Sequence, residues 1–185
     1  GGDHVRGYGG DTNQQLALNQ AITKCGTCFE VLQLLAEARQ SDVLPSTANM
    51  ATAMHRIAST GAQQPDMVMK DARFRQLVLN VEDRLEKQPR DFGEQHLANV
   101  VWGAAKLRLQ RKPLFTLVQK EVLSERRRLS EFSPQQLAAI AWSYAMMGFD
   151  APYLFEAVQE EAVRQPVLAR MLEQAGLLRR GADSA

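Results

Sequence analysis

The sequence predicts an all-α protein, a right-handed α-solenoid of tandem helix-turn-helix repeats of about 40 residues. Three observations support this fold class. Only 6% of the 185 residues are aromatic while 45% are hydrophobic, so aliphatic side chains must build the core, and this composition favours helices over a β-sandwich. Apolar residues recur at helical spacing along most of the chain. Finally, one helical segment occurs in repeated copies.

The repeat is clearest in the segments 97–107 and 137–147. They share a Leu-Ala pair, a Trp and a late Ala at a constant offset of 40 residues. The flanks keep this offset, pairing Phe92 with Phe132, Leu114-Phe115 with Leu154-Phe155, and Val118-Gln119 with Val158-Gln159. A more diverged third copy, 50–58, has His55 at the position of the Trp. Such self-similarity indicates stacked two-helix units.

The elements follow from this pattern in chain order. We expect a flexible arm over 1–15, which holds five glycines, then one helical-repeat domain of three to four units over 16–180 and a frayed tail over 181–185. For a chain that starts this way we expect either the loss of a transit peptide or a cut fragment. The predicted helices are an opening helix at Thr27–Arg39, Leu-Ala helices at 46–60, 93–109 and 133–148, their partners at 68–87, 113–129 and 152–163, and a closing helix at Pro166–Leu178.

Helix start and stop signals agree with these boundaries. Ser133-Pro134-Gln135-Gln136 combines a Ser cap, a Pro at the first helical position and a Gln at the third, the pattern of a capping box. Gly61 and Gly148 stand where two helices should end. The short loops between helices favour antiparallel neighbours.

The Leu-Ala helices are apolar on two adjacent stripes, as expected of a helix buried on two sides. We predict that the alanines allow close helix approach, that each Trp fills the wedge between units, and that His55 packs in the same way. An outward stripe remains, made of Asn99, Gly103, Lys106 and Gln110 in one copy, Thr52, Arg56 and Ser59 in another, and Ala139, Ser143 and Met146 in the third. This stripe is either a surface that reads a ligand or ordinary solvent-exposed surface.

Positive charge is concentrated in one part of the chain. The net charge is only +1, but the segment 106–128 holds eight basic residues against two acidic ones. Phosphate binding requires such a cluster. We take seven of these basic residues and three residues of the stripe as candidate RNA contacts: Lys106, Arg108, Arg111, Lys112, Arg126, Arg127 and Arg128, with Asn99, Thr52 and Arg56. Arg126–Arg128 could equally be a solvated helix end, where cations suit the helix dipole.

Other chemistry has little support in the sequence. Cys25 and Cys28 form a C-x-x-C without a second ligand pair, and His4, His55 and His96 lie at no zinc-site spacing. These cysteines are read as helix-start residues, with a metal site shared with a partner chain or a redox role as alternatives. No phosphate-loop, dinucleotide or nucleophile motif occurs. We therefore predict no catalytic residue, no metal, no cofactor, no small-molecule substrate and no membrane span.

The stretch Phe132-Ser133-Pro134-Gln135-Gln136-Leu137-Ala138-Ala139-Ile140-Ala141-Trp142-Ser143-Tyr144-Ala145 resembles the octotricopeptide (OPR) repeat and the helical repeats of FAST-kinase-like and RAP-domain proteins. The resemblance covers roughly 18–165. It implies an organellar, RNA-binding protein, with no phosphoryl transfer implied by the kinase name. Helical readers take about one nucleotide per repeat, so three to four units suit a fixed place in a larger ribonucleoprotein.

Two functions follow as hypotheses. The first is a non-catalytic RNA-binding subunit of an organellar ribonucleoprotein, with the mitochondrial ribosome as the expected assembly, in contact with rRNA or mRNA and with neighbouring subunits. The second is a protein–protein scaffold in an organellar multi-protein or membrane complex, without RNA contact. The near-neutral total charge favours the scaffold, and the basic segment favours RNA. The expected location is the mitochondrion, with the plastid as the alternative.

Overall fold

The computed structural model describes residues 10–179, and within that range the protein is all-helical, without a β-strand. The prediction of an all-α fold is confirmed. The tail predicted at 181–185 and most of the arm predicted at 1–15 lie outside the described residues. The helices are α1 Asn13–Lys24, α2 Cys28–Gln40, α3 Thr47–Gly61, α4 Pro65–Lys70, α5 Ala72–Lys87, α6 Glu94–Lys106, α7 Lys112–Val122, α8 Pro134–Met147, α9 Pro152–Arg164 and α10 Pro166–Gln174, with two 3-10 turns at Pro89–Asp91 and Leu129–Glu131.

The helices form two layers. In the first layer α1 packs on α3, α3 on α6, α6 on α8 and α8 on α10. In the second layer α2 packs on α5 and α5 on α7, while α2, α5, α7 and α9 also contact helices of the first layer. Helices related by the sequence repeat, namely α3, α6 and α8, therefore lie side by side. Buried side chains between the layers form one continuous apolar core.

Four of the five first-layer helices, α1, α3, α6 and α8, start in the same way, which shows that the repeat extends further than predicted. The backbone N–H of each N-cap residue donates to the side chain three residues later: Thr12 to Gln15 at 2.9 Å, Ser46 to Asn49 at 3.0 Å, Gly93 to His96 at 3.0 Å and Ser133 to Gln136 at 2.8 Å. Residues 12–17 are therefore the start of a further copy, and the predicted arm is wrong from residue 12 onward. The Gln-Leu-Ala sequence at 15–17, identical to 136–138, is the signal that could have revealed it.

The second-layer helices depart from prediction at two places. The helix expected over 68–87 is interrupted at Asp71, whose carboxylate caps α5 by accepting from the Arg73 N–H. The short helix α4 before this break accounts for the longer spacing between the first and second copies. The helix expected over 113–129 ends at Val122, and the chain continues through turns into the 3-10 turn at Leu129–Glu131. Arg126–Arg128 accordingly lie in a loop and not on a helix.

A close helix–helix contact lies between α3 and α6. A Cβ placed on Gly103 would lie 2.7 Å from the Met54 carbonyl oxygen, so a side chain has no room there. The residue at the same repeat position in α8 is Ser143, which is also buried and donates its hydroxyl to the Ala139 carbonyl. Gly103 and Ser143, predicted to face outward, are spacers between helices, because this position points at the neighbouring helix of the stack.

Candidate nucleic-acid interface

Three rings form a row across the first layer. His55, Trp102 and Trp142 occupy the ninth position after the N-cap residue of α3, α6 and α8. The His55 and Trp102 rings are stacked with their centroids 4.6 Å apart and their planes 22° apart. The Lys106 Nζ lies 5.7 Å from the Trp102 ring centroid and 5.8 Å from that of Trp142. We call His55, Trp102, Lys106 and Trp142 the aromatic row.

The aromatic row lies on the surface of the protein. Trp102 and Trp142 are half-buried, and His55 and Lys106 are exposed. His55 and Trp102 do lie between neighbouring helices, as the wedge prediction requires, but at the surface, since the buried interhelical contact is made at the neighbouring positions of Gly103 and Ser143. The pKa of His55 is lowered, first by partial burial of the ring and then by the positive charge of Arg56.

Polar residues of the predicted stripe continue this surface. The Asn99 side-chain oxygen accepts from the Gln95 amide at 2.7 Å, and Gln136 donates to the Gln95 oxygen at 3.1 Å. Thr52 is half-buried on α3. The guanidinium of Arg56 donates to the Cys25 carbonyl at 2.8 Å, so this candidate contact also ties α3 to the end of α1.

The cations predicted around the α6–α7 loop divide into two kinds. Lys106, Arg108 and Lys112 are exposed, and Arg108 and Lys112 form no ion pair within the described range 10–179. Arg111 instead makes a two-point contact with the buried Glu82, at 2.6 and 3.0 Å. Its charge is neutralised by this carboxylate, and its position links α5 to α7. The exposed cations are therefore the better placed for a phosphate.

Arg108 has an unusual backbone. Its φ is +56°, while Gly148, at the same repeat position after α8, has a φ of +67°. Both residues close their helix in the same way, with the next N–H donating to a carbonyl five residues back, Leu109 to Ala104 and Phe149 to Tyr144. A left-handed conformation costs a non-glycine residue about 1–2 kcal/mol, and the arginine side chain here remains directed to solvent.

The arginines predicted at 126–128 have different environments. The Arg127 side chain is 9% exposed, and its guanidinium contacts Glu121 at 2.9 Å and Glu94 at 3.2 Å. It also donates to the carbonyls of Pro89 and Phe92. Arg126 contacts Glu121 at 3.1 Å. Arg127 is thus held inside the protein, and only Arg128 of this run is exposed without an ion pair in the described part of the chain.

A surface cleft of about 480 Å³ adjoins these arginines. Its charged lining residues are of both signs, namely Arg90, Glu94, Glu121, Arg126, Arg127 and Glu131. The opposite charges offset one another, so this cleft has no excess positive charge to attract a phosphate. The aromatic row and the α6–α7 loop remain the candidate interface.

The cysteine pair is buried between α1 and α2. Cys25 caps the end of α1, Cys28 is the first residue of α2, and both are free thiols. Burial raises the pKa of both thiols, which keeps them protonated at neutral pH. Over residues 10–179 no cluster of three or more His, Cys, Asp or Glu residues could hold a metal ion. Over the same range no helix combines the length and apolar character needed to cross a membrane.

The aromatic row is the feature that sequence reasoning missed. The spacing of four residues between Trp102 and Lys106 places both on one helix face. Trp142 follows Trp102 at the repeat offset of 40 residues. These two facts together could have predicted that the lysine lies near both indoles.

Comparison of the chain with protein families and with curated proteins finds no match.

Proposed function

We propose that this chain is a non-catalytic, RNA-binding helical-repeat protein, a right-handed α-solenoid that serves as a structural subunit of an organellar ribonucleoprotein. The observation that carries the proposal is the aromatic row beside the exposed cations of the α6–α7 loop. Rings supply stacking surfaces for bases, and exposed Lys and Arg supply charge for phosphates. The proposed assembly is the mitochondrial ribosome, with a plastid counterpart as the alternative.

The arrangement of the interface suits a single strand. The ring positions lie on three neighbouring parallel units of one layer, so the row runs across the helices instead of along one of them. A flexible single strand can follow such a row with its bases splayed toward the rings. Few free cations are available, so we expect modest affinity that is sufficient when neighbouring subunits hold the same RNA.

A protein–protein scaffold is the second candidate, and exposed apolar side chains favour it. Leu44 is 76% exposed near the amino-terminal end of the stack, and Tyr153 and Val163 on α9 are 73% and 86% exposed. Apolar side chains exposed to this extent at the two ends are suited to contact neighbouring subunits. This role and RNA contact use different surfaces.

Filter retention of a labelled single-stranded RNA at 50 and 200 mM salt tests the first candidate. If Lys106, Arg108 and Lys112 each contact one phosphate, log affinity should fall against log salt with a slope of about −2. The double variant Arg108→Ala/Lys112→Ala should bind more weakly and lower the magnitude of that slope by about 1.4. The control variant Lys24→Ala/Arg170→Ala removes two exposed cations elsewhere and should retain the slope. Absence of retention at 50 mM salt would favour the scaffold.

A further inference from the structure

The two gaps in the aromatic row are filled differently. Between α3 and α6 the gap is closed by ring-to-ring stacking of His55 on Trp102. Between α6 and α8 the two indoles make no ring contact with each other among the described residues, and the Lys106 ammonium lies near both, at 5.7 and 5.8 Å. The second gap therefore presents two indole rings with a movable cation between them.

The Lys106 distances set an upper limit of about 11.5 Å on the separation of the Trp102 and Trp142 ring centroids. A ring stacked between two others needs roughly 7 Å, two contacts of about 3.5 Å, and this lies within that limit. Lys106 lies in the last turn of α6 and is exposed. Its flexible four-carbon stem allows the ammonium to leave the gap without a change of the helix.

The energies favour exchange of the cation for a base. An exposed cation–π contact contributes about 0.5–1 kcal/mol, whereas stacking of a base on an aromatic side chain contributes about 1–3 kcal/mol. The displaced ammonium would gain a phosphate as its new partner. Arg108, two residues further on, has an exposed guanidinium for a second phosphate contact.

We infer that the gap between Trp102 and Trp142 binds one unpaired nucleobase of a single-stranded RNA, while Lys106 swings out to the adjoining phosphate. This inference rests on the proposed function and names how it is carried out. A nucleotide fits where simpler ligands do not, since it combines a π face for the two indoles with an anion for the lysine. A phosphate alone has nothing to stack, and an uncharged ring leaves the displaced ammonium without a partner.

Tryptophan fluorescence tests the inference directly, because the only two tryptophans of the chain both lie in the row. The full chain is titrated with a short single-stranded RNA and with a strand of equal length that lacks bases, while filter retention is measured in parallel. We expect the RNA to quench the emission along the same curve as retention and the abasic strand to leave it unchanged. Trp142→Ala should weaken retention roughly 5- to 150-fold, the equivalent of one stacked base.

Three further variants make the result specific. Trp142→Phe keeps a ring and should restore most of the affinity lost in Trp142→Ala, which a purely structural defect would not predict. Lys106→Gln should reduce the salt slope by about 0.7, one phosphate contact. Tyr153→Ala removes an exposed ring that is not part of the row and should change neither signal. Circular dichroism confirms that each variant is helical.

The outcomes separate the inference from the function on which it rests. Retention of RNA without quenching, together with unchanged affinity of Trp142→Ala, would overturn the inference and leave RNA binding standing. Quenching by the abasic strand equal to that by RNA would also overturn it, because phosphates alone would then account for the signal. Absence of retention for the unmodified chain at 50 mM salt would overturn the proposed function and the inference together.

Discussion

Single residues control how closely the helices of the first layer approach. At the tenth position after the N-cap residue, α6 has Gly103 and α8 has Ser143, and both are buried against a neighbouring helix. In α3 the same position is Arg56, whose guanidinium reaches the Cys25 carbonyl at the end of α1. The size of this one side chain thus differs between copies, according to the space that the neighbouring helix leaves.

Gly103→Ala should destabilise the protein. The new Cβ would lie 2.7 Å from the oxygen and 3.0 Å from the carbonyl carbon of Met54, and these backbone atoms cannot move aside without shifting α3. We expect the free energy of unfolding to fall by about 1–3 kcal/mol, a typical overpacking cost, measured by urea denaturation. Ser143→Ala adds no volume at the equivalent position and should change stability by less than about 1 kcal/mol. Equal stability of Gly103→Ala and the unmodified chain would contradict the close contact.

At the scale of one element, a helix start can carry a titratable cap. The His96 Nδ1 accepts the Gly93 N–H at 3.0 Å, which requires the unprotonated nitrogen. Burial is the main cause that lowers the His96 pKa below its usual value near 6.5, and Arg127 adds to this, while Asp11 and Glu94 act in the opposite direction. The folded protein therefore binds this proton less readily than the unfolded chain.

Stability should consequently fall as the pH drops below about 6.5, because the unfolded chain is protonated at His96 first. His96→Gln supplies the cap that Gln136 provides in α8 and should remove part of this pH dependence while keeping the cap. The free energy of unfolding measured between pH 7.5 and 5 would show it. His55 has a lowered pKa as well, so His55→Asn/His96→Gln should flatten the profile further. An unchanged profile in His96→Gln would count against a neutral histidine cap.

On the scale of the whole molecule, buried charge joins segments that are far apart in the chain. Arg127 lies in the loop after α7 and contacts Glu121 on α7, Glu94 at the start of α6, and carbonyls around the 3-10 turn before α6. The Arg127 and Glu121 side chains are 9% and 3% exposed. One guanidinium therefore fixes the loop after α7 against the start of α6, the first helix of the same unit, and against the turn that precedes α6.

Arg127→Met should cost about 3–5 kcal/mol of folding free energy, because it leaves the buried Glu121 without its main counter-charge. Arg128→Met, one residue further along and exposed, should change stability by less than about 0.5 kcal/mol. Urea denaturation followed by circular dichroism compares the two. If both variants were equally stable, the buried pair would have no structural role.

Some features of this protein could be predicted because they depend on neighbours in the chain. The helical class is an example, and the capping box of Ser133 and Gln136 and the helix stop at Gly148 are also present as expected. The Gln-Leu-Ala sequence at 15–17 also indicates a fourth copy at α1. The glycines on its amino-terminal side led instead to the prediction of a flexible arm. The RNA contacts, the organelle and the right-handed solenoid arrangement of the stack stay predictions.

The sequence by itself determined the helices and their repeat, since hydrogen bonds within a helix, end caps and apolar periodicity all act over a few residues. Tertiary structure alone decided which face of each helix is covered. Gly103 lies at a close interhelical contact, Trp102 and Trp142 lie at the surface, and Arg127 forms a buried ion pair. The physical reason is that exposure and charge pairing depend on where neighbouring helices pack. That packing is determined jointly by residues far apart in the chain.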